Sequence, residues 1–299
     1  MKTHQHIIVI AHDAGGAEIV SAYVRANRDR YRFTCFVAGP ALKVFRKKHV
    51  AAQLVTDHDS FPQLFATYRD VAFVLAGTGD SGMELKAIRA ARVLHMKTVA
   101  YLDHWVNYRE RFKYPSADWE THLPDEIWVG DPMAQKMAVE YFLNTPVRLV
   151  PNPFFLEVRR DYAVARRGLS RPNAILFMSE PVPYGESQIL EDTLAFFAEH
   201  IPGADFIIRF HPRESRNKHD ALIAKYRRGL HIVKSRHSFI VDDLARARVV
   251  VGMESVALVA AVLCGKKTVS FIPDVSRSLR LPFPQIRLVR RARELTILL

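Results

Sequence analysis

Phe206-Ile207-Ile208-Arg209-Phe210-His211-Pro212-Arg213-Glu214-Ser215 is a short apolar run that ends abruptly in polar and charged residues. Ile207, Ile208 and Phe210 favour a strand buried on both faces, and Pro212 cannot continue a hydrogen-bonded ladder. The strand is therefore expected to stop at His211 and to expose that imidazole at its carboxyl end. Open parallel sheets bind their ligands at such ends. A second run, Val249-Val250-Val251-Gly252 followed by Met253-Glu254-Ser255, has the same form and is expected in the same sheet.

Outward from these runs the chain alternates between strand-like and helix-like segments. Ile7 to Ala11 is a continuous apolar strand, His12-Asp13-Ala14-Gly15-Gly16 a glycine-containing loop, and Ala17 to Ala26 a helix. Val71 to Ala76 and Thr98 to Leu102 are further buried strands. Between them lies an amphipathic helix, Ser81 to His95, with Ser81 and Glu84 spaced as a capping box. Pro151-Asn152-Pro153 punctuates the chain, and the strand, loop, helix alternation then resumes. The pattern predicts an α/β protein of two Rossmann-like domains, residues 1–153 and 154–299.

With 299 residues, 49% hydrophobic and 25% charged, this is the composition of an ordinary folded protein. The amino-terminal residues, Met1 to His4, carry no signal-peptide pattern and enter a strand directly, and no apolar run spans a bilayer, so a cytoplasmic location is expected. Cys35 and Cys264 read as buried hydrophobes. Net charge is +12, with 19 Lys and Arg against 16 Asp and Glu in residues 1–150, and 24 against 15 in the remainder. A basic carboxyl-terminal half suits an anionic ligand or an anionic membrane surface. No zinc-finger spacing, aromatic RNA-binding strand or helix-turn-helix accompanies it, so nucleic acid is not expected as a partner.

Three constellations carry candidate chemistry. His211 and Arg213 stand where a strand stops, and both can donate hydrogen bonds to a phosphate. After the second strand, Ser255 is placed to cap a helix while its hydroxyl and the free amides of that helix start face an anion, and Glu254 could accept from ribose hydroxyls. Ser179 and Glu180 end another strand of this half. In the first half, His12 and Asp13 are candidate bases beside the small residues Gly15 and Gly16. Asp103 and His104, crowded by Trp105, Tyr108 and Arg109, follow a strand in a segment suited to sugar or base recognition. None of the thirteen histidines falls in a metal-binding pattern, and Asp242-Asp243 reads as a solvated helix face, so no metal site is expected. A GxSxG hydrolase elbow and the full dinucleotide fingerprint are both absent.

The His-Pro loop, paired with the later segment from Ala247 through Gly252-Met253-Glu254-Ser255 to Gly265-Lys266-Lys267, resembles the nucleotide-sugar half of GT-B glycosyltransferases. It is most similar to bacterial sialyltransferases, polysialyltransferases and capsule Kdo-transferases, and more distantly to UDP-N-acetylglucosamine 2-epimerases. The specific match covers residues 204 to 272. The resemblance implies two Rossmann-like domains facing across a cleft, the first on the acceptor side and the second holding the nucleotide-sugar. By it, His211 and Ser255 bind phosphate, and Asp13 is the base. Those families usually carry paired acids before the glycine where Ala14 stands here, so His12, Asp103 and His104 stay open as alternatives.

The expected activity is metal-independent, inverting glycosyl transfer from a CMP- or UDP-linked sugar to a glycan or lipid-linked acceptor in cell-surface polysaccharide synthesis. The nucleotide-sugar is a co-substrate, and no other cofactor is expected. The alternatives are a UDP-sugar 2-epimerase or hydrolase and a non-catalytic nucleotide-sugar-binding protein. Six arginines lie between Arg277 and Arg293. They read either as a peripheral contact with an anionic membrane or as a solvated helix at the domain junction.

Overall fold

A computed structural model describes residues 4–181 and 185–299. Met1 to Thr3, read above as leading straight into a strand, lie outside the described residues. The chain divides into two compact units, Met1–Phe154 and Phe155–Leu299.

The first unit runs β1 (Gln5–Ala11), α1 (Ala14–Asn27), β2 (Tyr31–Val37), α2 (Gly39–Lys47), β3 (Gln53–Leu54), α3 (Phe61–Ala66), β4 (Val71–Ala76), α4 (Met83–Val93), β5 (Thr98–Tyr101), β6 (Glu126–Val129), α5 (Pro132–Tyr141) and β7 (Val147–Leu149). Its seven strands lie in the order β3-β2-β1-β4-β5-β6-β7, all parallel. Helices cover both faces of such a sheet, which explains why β1 reads as an unbroken apolar run: Ile7, Ile8, Val9 and Ile10 are all fully buried. Burying one such side chain contributes about 1.5–3 kcal/mol.

Helix α6 (Pro153–Ala165) leads into the second unit. There follow β8 (Ala174–Met178), α7 (Glu186–His200), β9 (Asp205–Arg209), α8 (Asp220–Tyr226), β10 (His231–Lys234), α9 (Ile240–Arg246), β11 (Ala247–Gly252), α10 (Val256–Leu263), β12 (Lys267–Phe271) and β13 (Ile286–Val289). The six strands are again all parallel, in the order β10-β9-β8-β11-β12-β13. Phe177, Phe197, Phe206, Ile208, Val251 and Phe271 form the heart of its core. Strand order reverses between β1 and β4 in the first sheet and between β8 and β11 in the second. Loops on either side of such a reversal splay apart, opening a crevice at the strands' carboxyl ends.

Several expectations are corrected. Strand β9 ends at Arg209, two residues before His211. The Ser81–Glu84 capping box forms only in part: Gly82 occupies the cap position, Ser81 Oγ accepts the Met83 N–H and donates to Glu84 Oε2, each at 3.2 Å, while Glu84 Oε1 accepts the His12 N–H. Asp243 faces the interior rather than water, taking Arg209 Nη1 and Ser235 Oγ at 2.6 Å each. The arginine-rich tail is not a junction helix: it supplies β13, parallel to β12, and then the 3-10 turn Ala292–Leu298.

Gly16 fixes how α1 meets the sheet. A Cβ there would stand 2.8 Å from Thr78 N and 2.9 Å from Thr78 O, backbone atoms that cannot step aside. Gly16→Ala is expected to destabilise the first unit by about 1–3 kcal/mol, as overpacking does. Urea unfolding followed by circular dichroism checks this, and an unchanged midpoint contradicts the close-approach explanation.

Candidate functional site

In the first unit, polar side chains gather beyond the carboxyl ends of β1, β4 and β5. Asp13 is buried; its Oδ1 lies 2.8 Å from His12 Nδ1 and its Oδ2 accepts the Asp80 N–H at 2.9 Å. With the proton on Nδ1, the basic lone pair of His12 is on Nε2. The His12 N–H donates to Glu84 Oε1 at 2.8 Å, so a buried carboxylate at the start of α4 fixes the loop after β1. Burial pushes the Glu84 carboxyl above its ordinary range. His58 sets its ring edge-on to His12 at 6.3 Å. Burial and then the His12 charge hold the His58 imidazole below its ordinary value.

Asp103 joins the same end of the sheet. Its Oδ1 takes Arg111 Nη1 at 2.7 Å and Thr78 Oγ1 at 3.2 Å. Gly15 is needed here, since a Cβ would fall 2.0 Å from Asp103 Oδ2. Gly16, by contrast, is buried against backbone and offers no ligand surface. Trp105 and Tyr108 are corrected in the same way. Both rings are buried, Trp105 donating Nε1–H to Asp131 Oδ2 at 2.8 Å and Tyr108 packing between Tyr141 and Phe142. Arg109 stacks on Tyr114 and Tyr141. His104 accepts the Trp105 N–H at Nδ1, 2.9 Å.

In the second unit, the loops after β8, β9 and β11 meet at the strand-order reversal. Glu180, at the end of β8, places Oε1 2.9 Å from Met253 N, 3.0 Å from Glu254 N and 3.0 Å from Ser255 N. The three amides just ahead of α10 are therefore held by an internal carboxylate. Burial pushes the Glu180 carboxyl above its ordinary range despite those three donors. Ser255 does cap α10, its Oγ accepting the Ala257 N–H at 3.2 Å. Glu254 grips Arg277 and Arg280, with Arg277 Nη2 at 2.6 Å and Arg280 Nη2 at 3.0 Å from Oε2. Burial alone would raise its carboxyl, but Arg280 and Arg277 outweigh this and hold it low.

The His-Pro loop is fixed by a buried polar cluster. Glu214 Oε2 accepts the His211 N–H at 2.8 Å and faces the Ser179 hydroxyl at 2.7 Å. Ser179 also lies 2.5 Å from Glu186 Oε1, and His219 Nε2 is 3.3 Å from that oxygen. Glu186, Glu214 and His219 are spaced as a metal's ligands would be. The Lys218 ammonium already bridges both carboxylates, so the chain supplies its own cation. His211 Nδ1 accepts the Arg213 N–H at 3.2 Å, leaving Nε2–H as the donor. Burial first, and then the Arg213 charge, lower the His211 imidazole against the opposing pull of Glu214. A neutral imidazole donating from Nε2 needs no protonation to meet an oxyanion.

Sequence reasoning missed Glu84, His58 and Arg111 in the first unit and Glu186, Lys218 and His219 in the second. Apart from Glu84, read only as half of a capping box, none belongs to a short motif. For the others, the Glu214-to-Lys218 spacing, i to i+4, was the readable signal.

No family model matches the sequence, and no curated protein matches it either. Solved structures do. The UDP-GlcNAc 2-epimerase of Methanocaldococcus jannaschii superposes with a TM-score of 0.72 at 12% identity, over 98% of this chain and 91% of that one. HepE of Anabaena, in complex with UDP and glucose, gives 0.61 at 15% identity, over 90% and 81%. A UDP-glucosyltransferase of Polygonum tinctorium gives 0.59 at 12% identity, over 99% and 82%. At such identities the likeness establishes the fold: the paired Rossmann-like units of the GT-B class. Among the described residues no helix is long and apolar enough to cross a membrane.

Glu186 provides a test of the cluster. Burial pushes its carboxyl up, but hydrogen bonds from His219, Lys218 and Ser179 win and hold it at about 2, against an ordinary 4.5. Its contribution to stability is therefore complete above pH 4.5 and is lost as pH falls toward 2. Melting temperature measured from pH 6 down to about 2.5 should drop less steeply for Glu186→Gln than for wild type. Parallel acid limbs would contradict the assignment.

Proposed function

We propose that the protein is a nucleotide-sugar enzyme, and specifically a glycosyltransferase. The carrying observation is the second unit's strand-order reversal, where the Nε2–H of a neutral His211, the Arg213 guanidinium and the Ser255 hydroxyl belong to loops that leave the sheet at one end. Donors on such loops are suited to the phosphate of a leaving nucleotide. Charge on arginine side chains fills the role a metal ion takes in other enzymes. The relatives in fold support the reading: one bears UDP and glucose, another is a UDP-glucosyltransferase.

In this reading the second unit holds the donor and the first serves the acceptor. The His12–Asp13 pair supplies the base. Asp13 holds Nδ1–H, so Nε2 takes the acceptor's hydroxyl proton as its oxygen attacks the anomeric carbon. Asp103, locked to Arg111 and Thr78, serves as a hydrogen-bond acceptor for a sugar hydroxyl rather than as the base. The acceptor is a glycan or lipid-linked glycan of the cell surface, and the exposed Arg287, Arg291 and Arg293 provide a basic surface for an anionic membrane. Epimerisation of a UDP-sugar is the second reading, favoured by the M. jannaschii superposition.

Thermal-shift measurements with CMP, UDP, GDP and their sugars test the binding step. A matching nucleotide at a hundredfold excess over Kd should stabilise the wild type by about 2.7 kcal/mol. His211→Ala should lose most of that gain. His12→Ala should keep binding and lose turnover by roughly 10²–10⁴-fold. Product analysis separates the chemistries: glycosyl transfer requires an acceptor product, whereas a 2-epimer formed without acceptor overturns the transferase reading. Failure of every nucleotide to stabilise the wild type overturns both.

A further inference from the structure

We propose that Arg277 and Arg280 are ligands of the donor's phosphate, with Glu254 as the carboxylate that aims them; this rests on the nucleotide-sugar reading above. Three observations lead here. The first is that the amides of Met253, Glu254 and Ser255 are taken by Glu180. An anion arriving beside Ser255 therefore finds fewer backbone donors, and side chains have to supply much of what holds it.

The second is preorganisation. The long connection between β12 and β13 carries both arginines, and Arg290 holds it down. The Arg290 guanidinium donates to the carbonyls of Ile272, Asp274 and Arg277. Asp274 ties the same stretch by taking the Ser276 N–H at 2.9 Å and the Ser276 hydroxyl at 2.6 Å. The segment bearing Arg277 is thus fixed through its backbone, which leaves the Arg277 side chain to reach Glu254.

The third is the geometry at Glu254. Arg280 meets the carboxylate as a fork, Nε 3.1 Å from Oε1 and Nη2 3.0 Å from Oε2, while Arg277 Nη2 stands 2.6 Å from Oε2. These contacts use two of Arg280's N–H groups and one of Arg277's, out of five on each guanidinium. The two side chains are 37% and 47% exposed, so N–H groups face solvent next to the cap of α10. Two cations share the one Glu254 carboxylate, and with the Glu180 carboxylate counted the four groups balance, so what this corner offers a phosphate is the remaining guanidinium N–H groups next to Ser255. Glu254 is then a positioning residue and not the ribose acceptor expected from sequence, and these two arginines are withdrawn from any membrane contact.

Calorimetric titration of CMP, UDP and GDP, each beside its nucleoside, tests the assignment on wild type, Arg277→Gln, Arg280→Gln and Glu254→Gln. Each arginine variant should bind the preferred nucleotide about tenfold more weakly, the cost of one charge-assisted hydrogen bond, and the nucleoside as before. Glu254→Gln should weaken the nucleotide alone too. Arg277→Lys and Arg280→Lys, which keep the charge and limit any folding loss, should recover part of the affinity. If wild type binds a nucleotide and the glutamine variants bind it equally, the arginine assignment is wrong and the functional reading stands. If nucleoside and nucleotide weaken together, the arginines only support the fold and the assignment again fails. If wild type binds no nucleotide, the functional reading itself falls and takes this one with it.

Discussion

One carboxylate, that of Glu180, takes three successive backbone N–H groups where β11 turns into α10. A buried carboxylate left without donors would cost several kcal/mol, and a turn with three unsatisfied amides is costly in its own right. Each solves the other's problem. Because Glu180 follows β8 and the amides follow β11, the interaction ties the two strands on either side of the order reversal. The direction of Ser255 and the seat of Glu254 both depend on it. It also takes three backbone N–H groups out of what remains for a ligand, which gives the side chains around them more of that work.

The two units place polar groups beyond the ends of parallel sheets in different ways. In the first, His12, Asp13, Glu84 and Asp80 form a chain of hydrogen bonds that gives the imidazole one tautomer and leaves a basic nitrogen. In the second, Ser179, Glu186, Glu214, Lys218 and His219 build a buried cluster whose product is an oriented His-Pro loop. The basic balance of the carboxyl-terminal half is partly structural as well. Lys218, Arg209 and Arg290 are each consumed by internal carboxylates or carbonyls.

The strands that build both sheets were legible because burial on two faces demands unbroken runs such as Ile7 to Ala11 and Val249 to Val251. Strand β13 was hidden: Ile286-Arg287-Leu288-Val289 is an edge strand, half exposed, in a segment whose arginines dominated its reading. His12, Asp13, Asp103, His211, Ser255 and Glu180 were readable as strand-end residues. Their partners were not, because Glu84 lies 72 positions from His12 and Glu180 lies 75 from Ser255. Trp105 and Tyr108 misled because aromatic residues beside polar ones mark a packed corner as readily as a sugar platform. Arg277 and Arg280 became meaningful only once Glu254 was seen between them.

A phosphate held by side chains at the β8–β11 reversal makes a specific spectroscopic demand. Histidine ring nitrogens labelled with ¹⁵N, with the His211 signals identified by their loss in His211→Gln, report the state of that imidazole directly. On addition of the preferred nucleotide, His211 should remain neutral with its proton on Nε2, and that N–H should shift in proportion to saturation while His231 and His200 stay put. A His211 signal unmoved at saturating nucleotide, or one that becomes doubly protonated without it at pH 7, would contradict the site described here.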